Sequence, residues 1–82
     1  MERAIKAVIG HLKGSKTTTE QSIIFEPKSA WDLSRVEDWL KKHGKKTAVD
    51  ETENSYRFRQ VDPSEFEEES FRTITLMHKR SI

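Results

Sequence analysis

The sequence predicts an α+β domain: a small, mostly antiparallel β-sheet of four to five strands, in the chain order β-β-α-β-β-β, packed on one α-helix. Three observations predict it. Runs rich in β-branched and aromatic residues occur on both sides of a single stretch with helical apolar spacing. Polar, Gly- or Pro-containing segments separate them. An amphipathic helix must also bury its stripe against something, and here a sheet is the available surface.

At 82 residues the chain has room for one domain, residues 1–82, with one modest core. It has no cysteine, so packing or association alone must stabilise it, with no help from disulfides or a thiolate metal site. The net charge of +1 makes no global demand for a polyanionic partner. Charge is unevenly spread: residues 1–49 carry ten Lys and Arg against six Asp and Glu, whereas residues 50–82 carry five against eight. Such a bias marks two faces only if folding keeps the halves apart. Glu2, Arg3 and Lys6 interrupt the N-terminal segment, and no run approaches membrane-spanning length. The expectation is a cytoplasmic protein of the intracellular host environment, compatible with virion association and without a membrane partner.

Ala4 to Gly10 reads as a strand, with Ile5, Ala7 and Ile9 on one side and Lys6 and Val8 on the other; His11 and Leu12 extend it. Gly14 and the polar run after it form a turn, and Gln21 to Phe25 supplies a second strand, which makes a β-hairpin. After Pro27 comes the strongest local signal. Asp32 is a good N-cap, and Trp31 before it is placed to staple onto Val36. Leu33, Val36, Trp39 and Leu40 share one helical face, Glu37–Lys41 and Asp38–Lys42 are favourable pairs, and Gly44 supplies a left-handed stop. The helix is expected over residues 33–43, with His43 and the lysines at the negative end of its dipole.

A short strand is expected around Thr47 to Val49, followed by an acidic turn. Then NSYRFRQV alternates, with Tyr56 and Phe58 to one side and Arg57, Arg59 and Val61 to the other, until Asp62-Pro63 breaks it. Phe71 to Met77 reads as the last strand, with Ile74 and Leu76 facing together, and the last five residues are expected to fray.

The residues that could carry chemistry point away from an enzyme. GHLKGSKT at residues 10–17 has three residues between its glycines, and Ser15 separates Gly14 from Lys16, so it fails as a phosphate loop and reads as a hairpin turn. His11, His43 and His78 lack metal-ligand spacing, and no serine sits in a nucleophile-elbow context. The acidic clusters DETEN and EFEEES lack the spaced oxygen ligands and glycine of a calcium loop and read as solvated surface. No cofactor and no metal are expected.

Tyr56, Arg57, Phe58 and Arg59 are the sharper case. RNA-binding sheets stack bases on exposed aromatics beside basic residues, which would make this strand a platform. The simpler reading makes Tyr56 and Phe58 the core face and leaves Arg57 and Arg59 on the wet one. Under that reading, Arg57, Arg59 and Arg72, joined by Lys6, are expected to line up as a basic stripe on neighbouring strands, able to hold phosphates or pair with a protein.

Several segments together carry a resemblance: Ile5 to Gly10, Gln21 to Phe25, Trp31 with Trp39 to Gly44, and Asp50 to Pro63 followed by FRTITL. Across most of its length the chain resembles a family of small modules encoded in tailed phages and prophages. Similar segments are associated with phage head-assembly or head-maturation protease proteins. The resemblance implies a discrete module and supplies no catalytic residue. The expected function is a non-enzymatic phage- or prophage-type module acting through contacts with protein, including self-association, in virion assembly or as an accessory domain. The alternative is a nucleic-acid-binding domain using the basic strand face.

Overall fold

A computed structural model of the protein describes the backbone of residues 2–80 and the side chains of residues 3–77. Five strands, β1 (Glu2–His11), β2 (Thr18–Glu26), β3 (Val49–Glu51), β4 (Tyr56–Arg59) and β5 (Arg72–Arg80), form one antiparallel sheet in the order β3-β4-β2-β1-β5. One α-helix, α1 (Leu33–Lys42), lies in the chain between β2 and β3. The fold is therefore a small antiparallel sheet with a single helix. β1, β2 and β5 are nine or ten residues long and give the molecule a 43 Å long axis against 23 and 21 Å across.

The expected hairpin is β1–β2, closed through Gly14 at φ 77°. Its strands run further than the sequence pattern suggested, because polar residues such as Thr18 and Thr19 pair as well as apolar ones. Two bulges interrupt regular pairing. Val8 pairs with Ser22 and Ile9 with Glu20, which leaves Gln21 as an extra residue of β2. Ile5 pairs with Met77 and Lys6 with Thr75, which leaves Leu76 as an extra residue of β5. The second bulge interrupts the alternation expected through Ile74 and Leu76: Leu76 has no partner on β1, and Met77 takes the place opposite Ile5. The short third strand is Val49–Glu51, later than the expected 47–49. Of the five residues expected to fray, 78–80 belong to β5, while 81 and 82 lie outside the described residues.

α1 forms where its capping residues require. The Asp32 Oδ1 accepts hydrogen bonds from the Ser34 N–H and the Ser34 hydroxyl, both at 2.9 Å, satisfying a donor that the first turn would leave free. At the other end Gly44 takes φ 70°, and the Lys45 N–H donates to the Leu40 carbonyl at 2.8 Å. His43 stacks on Trp39 with ring centroids 4.0 Å apart. Trp31, placed by sequence as a staple on Val36, sets its ring edge-on to Phe25 at 5.0 Å.

The buried cluster consists of Ile5, Ile23, Phe25 and Phe58 from the sheet with Val36 and Leu40 from α1. Trp31, Leu33, Trp39, Tyr56 and Met77 pack at its margin. A separate contact closes the far end of β1. Phe66, buried after a 3₁₀ turn at Pro63–Glu65, lies so close to Gly10 that a Cβ there would stand 2.8 Å from its ring. Gln60 ties the same region down: its side-chain amide donates to the carbonyls of Phe58 and Lys46, its Oε1 accepts from the Lys46 N–H, and its own N–H donates to the carbonyl of the bulge residue Gln21 at 2.7 Å.

Two outcomes follow. Gly10→Val must displace the Phe66 ring and is expected to cost about 1–3 kcal/mol in urea denaturation; an unchanged midpoint would show that the ring has somewhere else to go. The bonds from the Ser34 hydroxyl and N–H hold the Asp32 carboxyl below its ordinary range. A carboxylate with a lowered folded pKa stabilises the fold above its unfolded value and loses that effect as pH falls through the folded one. Asp32→Ala should therefore lower Tm at neutral pH, and the gap to the parent should close as pH drops below 3.8, which thermal melts at stepped pH will read.

Candidate functional site

The pairing register writes out both faces of the sheet. Two rows cross all five strands on one face: Glu51–Tyr56–Phe25–Ile5–Met77 and Val49–Phe58–Ile23–Ala7–Ile74. These rows carry the buried cluster. In the second, Phe58, Ile23 and Ala7 are 0% exposed, while the end members Val49 and Ile74 are 42% and 40% exposed. The opposite face carries Asp50–Arg57–Ile24–Lys6–Thr75 and, beside it, Arg59–Ser22–Val8–Thr73.

This places each residue singled out by sequence. Phe58 is fully buried on the apolar face, where it meets Phe25 edge-on with centroids 5.7 Å apart. Tyr56 is half-buried on that face, with the Lys28 ammonium 5.5 Å from its ring centroid. A base-stacking platform needs both rings open, so this strand does not present one. Arg57, Arg59 and Lys6 share the opposite face. Arg72 does not join them: it pairs with Ile9, one step out of phase with Thr73, and so belongs to the apolar side of the edge strand β5, separated from β4 by β2 and β1. The expected stripe of three arginines is thereby broken. β5 returns to pair with the N-terminal strand, and no local pattern announces that pairing.

The remaining cations are partly neutralised. Lys6 forms an ion pair with Glu26. Arg57 stands opposite Asp50 in the register. Arg59 lies near Asp62, whose carboxyl is held below its ordinary range first by the Ser64 N–H, then by the Ser64 hydroxyl, and also by the Arg59 charge. Among the described residues neither Arg57 nor Arg59 makes an ion pair, and a shallow groove between Ser22, Asp50, Arg57, Arg59 and Pro63 runs beside them. Two arginines hemmed by two carboxylates can hold a single anionic group, but they make no continuous track for a phosphate backbone.

The edges differ more than the faces do. β3 is three residues long, every one exposed, and Glu51 is held by Lys28 at 2.8 Å. β5 is nine residues long and pairs only with β1. Among the described residues, three of the four exposed large hydrophobics, Phe71, Ile74 and Leu76, lie in it or directly before it. Sequence reasoning missed this edge; the alternation in RTITL was visible, but its position at the border of the sheet was not. Among the described residues no cluster of metal-ligating side chains occurs, and no helix is long and apolar enough to cross a membrane. No family model matches the chain, and comparison with curated proteins and with solved structures gave no significant match.

The face assignment has a direct check. Phe58→Ala should cost about 3–5 kcal/mol of stability, whereas Arg57→Ala combined with Arg59→Ala should cost about 1 kcal/mol or less. Equal losses in urea melts would mean the strand is turned over.

Proposed function

We propose that this protein is a non-enzymatic module of phage or prophage type that acts through protein–protein contacts, in virion assembly or as an accessory domain, with α1 packed across the middle of the sheet and the β5 edge as its contact surface. The observation that carries the reading is that edge: nine residues with one side unpaired and with Ile74 and Leu76 each 40% exposed. An unpaired strand offers a row of N–H and C=O groups that a further strand can satisfy, and exposed apolar side chains add burial to that pairing. The phage context rests on the resemblance of the segments quoted above. The polar side chains buried in the fold support a non-catalytic reading, since Gln21, Ser22, Ser55 and Gln60 are all engaged in hydrogen bonds that hold turns and strand ends.

The second reading is nucleic-acid binding by Arg57 and Arg59, favoured by their making no ion pair among the described residues. One experiment separates the two. A photo-crosslinking residue at Thr73 in β5 should give covalent protein adducts in the producing cell, and the same residue at Ser34 on α1 should give none. An absence of adducts at Thr73, together with salt-sensitive NMR shifts at Arg57 and Arg59 on adding oligonucleotides, would move the function to the opposite face.

A further inference from the structure

The β5 segment is antisymmetric in charge. From Glu67 to Arg80 the chain reads EEESFRTITLMHKR, with three carboxylates at one end, Lys79 and Arg80 at the other, and Ile74 between them. We propose that the β5 edge binds a second copy of this chain, the two β5 strands pairing antiparallel about a two-fold axis at Ile74, so that two five-stranded sheets become one. The proposal rests on the protein-contact reading and names its partner.

The register follows from the bulge. Ile74 meets its own symmetry mate, and Thr73 faces Thr75, a favourable cross-strand pair. If Leu76 stays the extra residue it already is against β1, Arg72 then faces Met77, and both belong to the apolar side. Before Arg72 the chain leaves the strand and turns at Glu68 and Glu69, so the exposed Glu67–Glu69 turn of one copy lies at the end reached by Lys79 and Arg80 of the other, and the two-fold axis repeats this at both ends. Glu67, Glu68 and Glu69 are exposed and make no ion pair within the monomer among the described residues, so they are available for it.

Other arrangements of copies fail on the same evidence. A parallel, in-register β5 pair sets Arg72 on Arg72 and the basic ends on each other, which is repulsive. Pairing β5 with the β3 edge of a second copy, with the faces kept aligned, requires a parallel pair, because β3 and β5 run in the same direction in an antiparallel sheet of this order. It would also use only three residues. A strand from another protein would have to bring an acidic end at the correct distance from Ile74, which the second copy already carries.

Sedimentation equilibrium tests this. The parent chain should dimerise, and the dimer should weaken as salt rises. Ile74→Lys should give a folded monomer, with circular dichroism confirming the fold. Lys79→Glu with Arg80→Glu should raise the dimer dissociation constant about tenfold or more, as should Glu68→Lys with Glu69→Lys, because each leaves like charges opposed at both ends. An equimolar mixture of the two charge-reversed chains should recover a heterodimer, since both contacts become attractive again. A parent chain that stays monomeric over the accessible concentration range, or a dimer that survives each reversal alone, overturns the proposal. In that event the Thr73 crosslink shows which idea failed: adducts to a different protein leave the protein-contact reading standing, and none remove it as well.

Discussion

Phe25 meets three other rings edge-on: Trp31 at 5.0 Å, Trp39 at 5.5 Å and Phe58 at 5.7 Å, with interplanar angles of 82–88°. Edge-to-face aromatic pairs add about 0.5–1.5 kcal/mol each beyond the area they bury. These three join β2 to the turn before α1, to α1 itself and to β4. In a chain of 82 residues without disulfides, they add side-chain links to those the strand ladders make. The arrangement concentrates burial on the middle strands. Phe58, Ile23 and Ala7 are sealed, while the row they belong to ends at both borders in exposed residues, Val49 and Ile74.

A narrow core also shapes the opposite face. That face is built from small or β-branched residues, Ala4, Ser22, Val8 and Ile24, flanked by Lys6, Arg57 and Arg59. At one end Phe66 and Phe71, with ring centroids 5.3 Å apart, cover Gly10. Glycine is needed there for space, since any Cβ would run into the Phe66 ring. The loop from Gln60 to Ser70 is thus anchored on both sides, by Gln60 to the β2 bulge and by Phe66 to β1, and it delivers the exposed Glu67–Glu69 run to the start of β5.

Local periodicity made much of this legible. The two-residue alternation in Tyr56–Arg59 gave the correct sides, because a strand backbone leaves no other choice once Phe58 is buried. Asp32 and Gly44 marked the ends of the helix through capping chemistry that acts within a few residues. What failed was everything set by partners distant in the chain. Arg72 shares with Arg57 and Arg59 only its place in a strand, since β5 pairs with β1 and lies across the sheet from β4. The Leu76 bulge escaped because an extra residue becomes visible only against its neighbour strand, and the contact of Phe66 with Gly10 joins positions that no window spans.

The two borders show how a small sheet handles the danger of open edges. β3 is protected by being short and charged, with Asp50 and Glu51 in a strand of three residues. β5 cannot be shortened without uncovering β1, because its residues pair along nearly the whole of that strand. Its protection is a bulge at Leu76 and charge at its ends. Those charges are of opposite sign at the two ends, acidic before Phe71 and basic after His78. Charges of one sign throughout would repel every copy in every orientation. Opposite ends repel a parallel, in-register β5 neighbour and favour the antiparallel one, and because β5 has a single free side either pairing ends at two copies. The charges at the ends of this edge therefore act by choosing the orientation of whatever strand pairs with it.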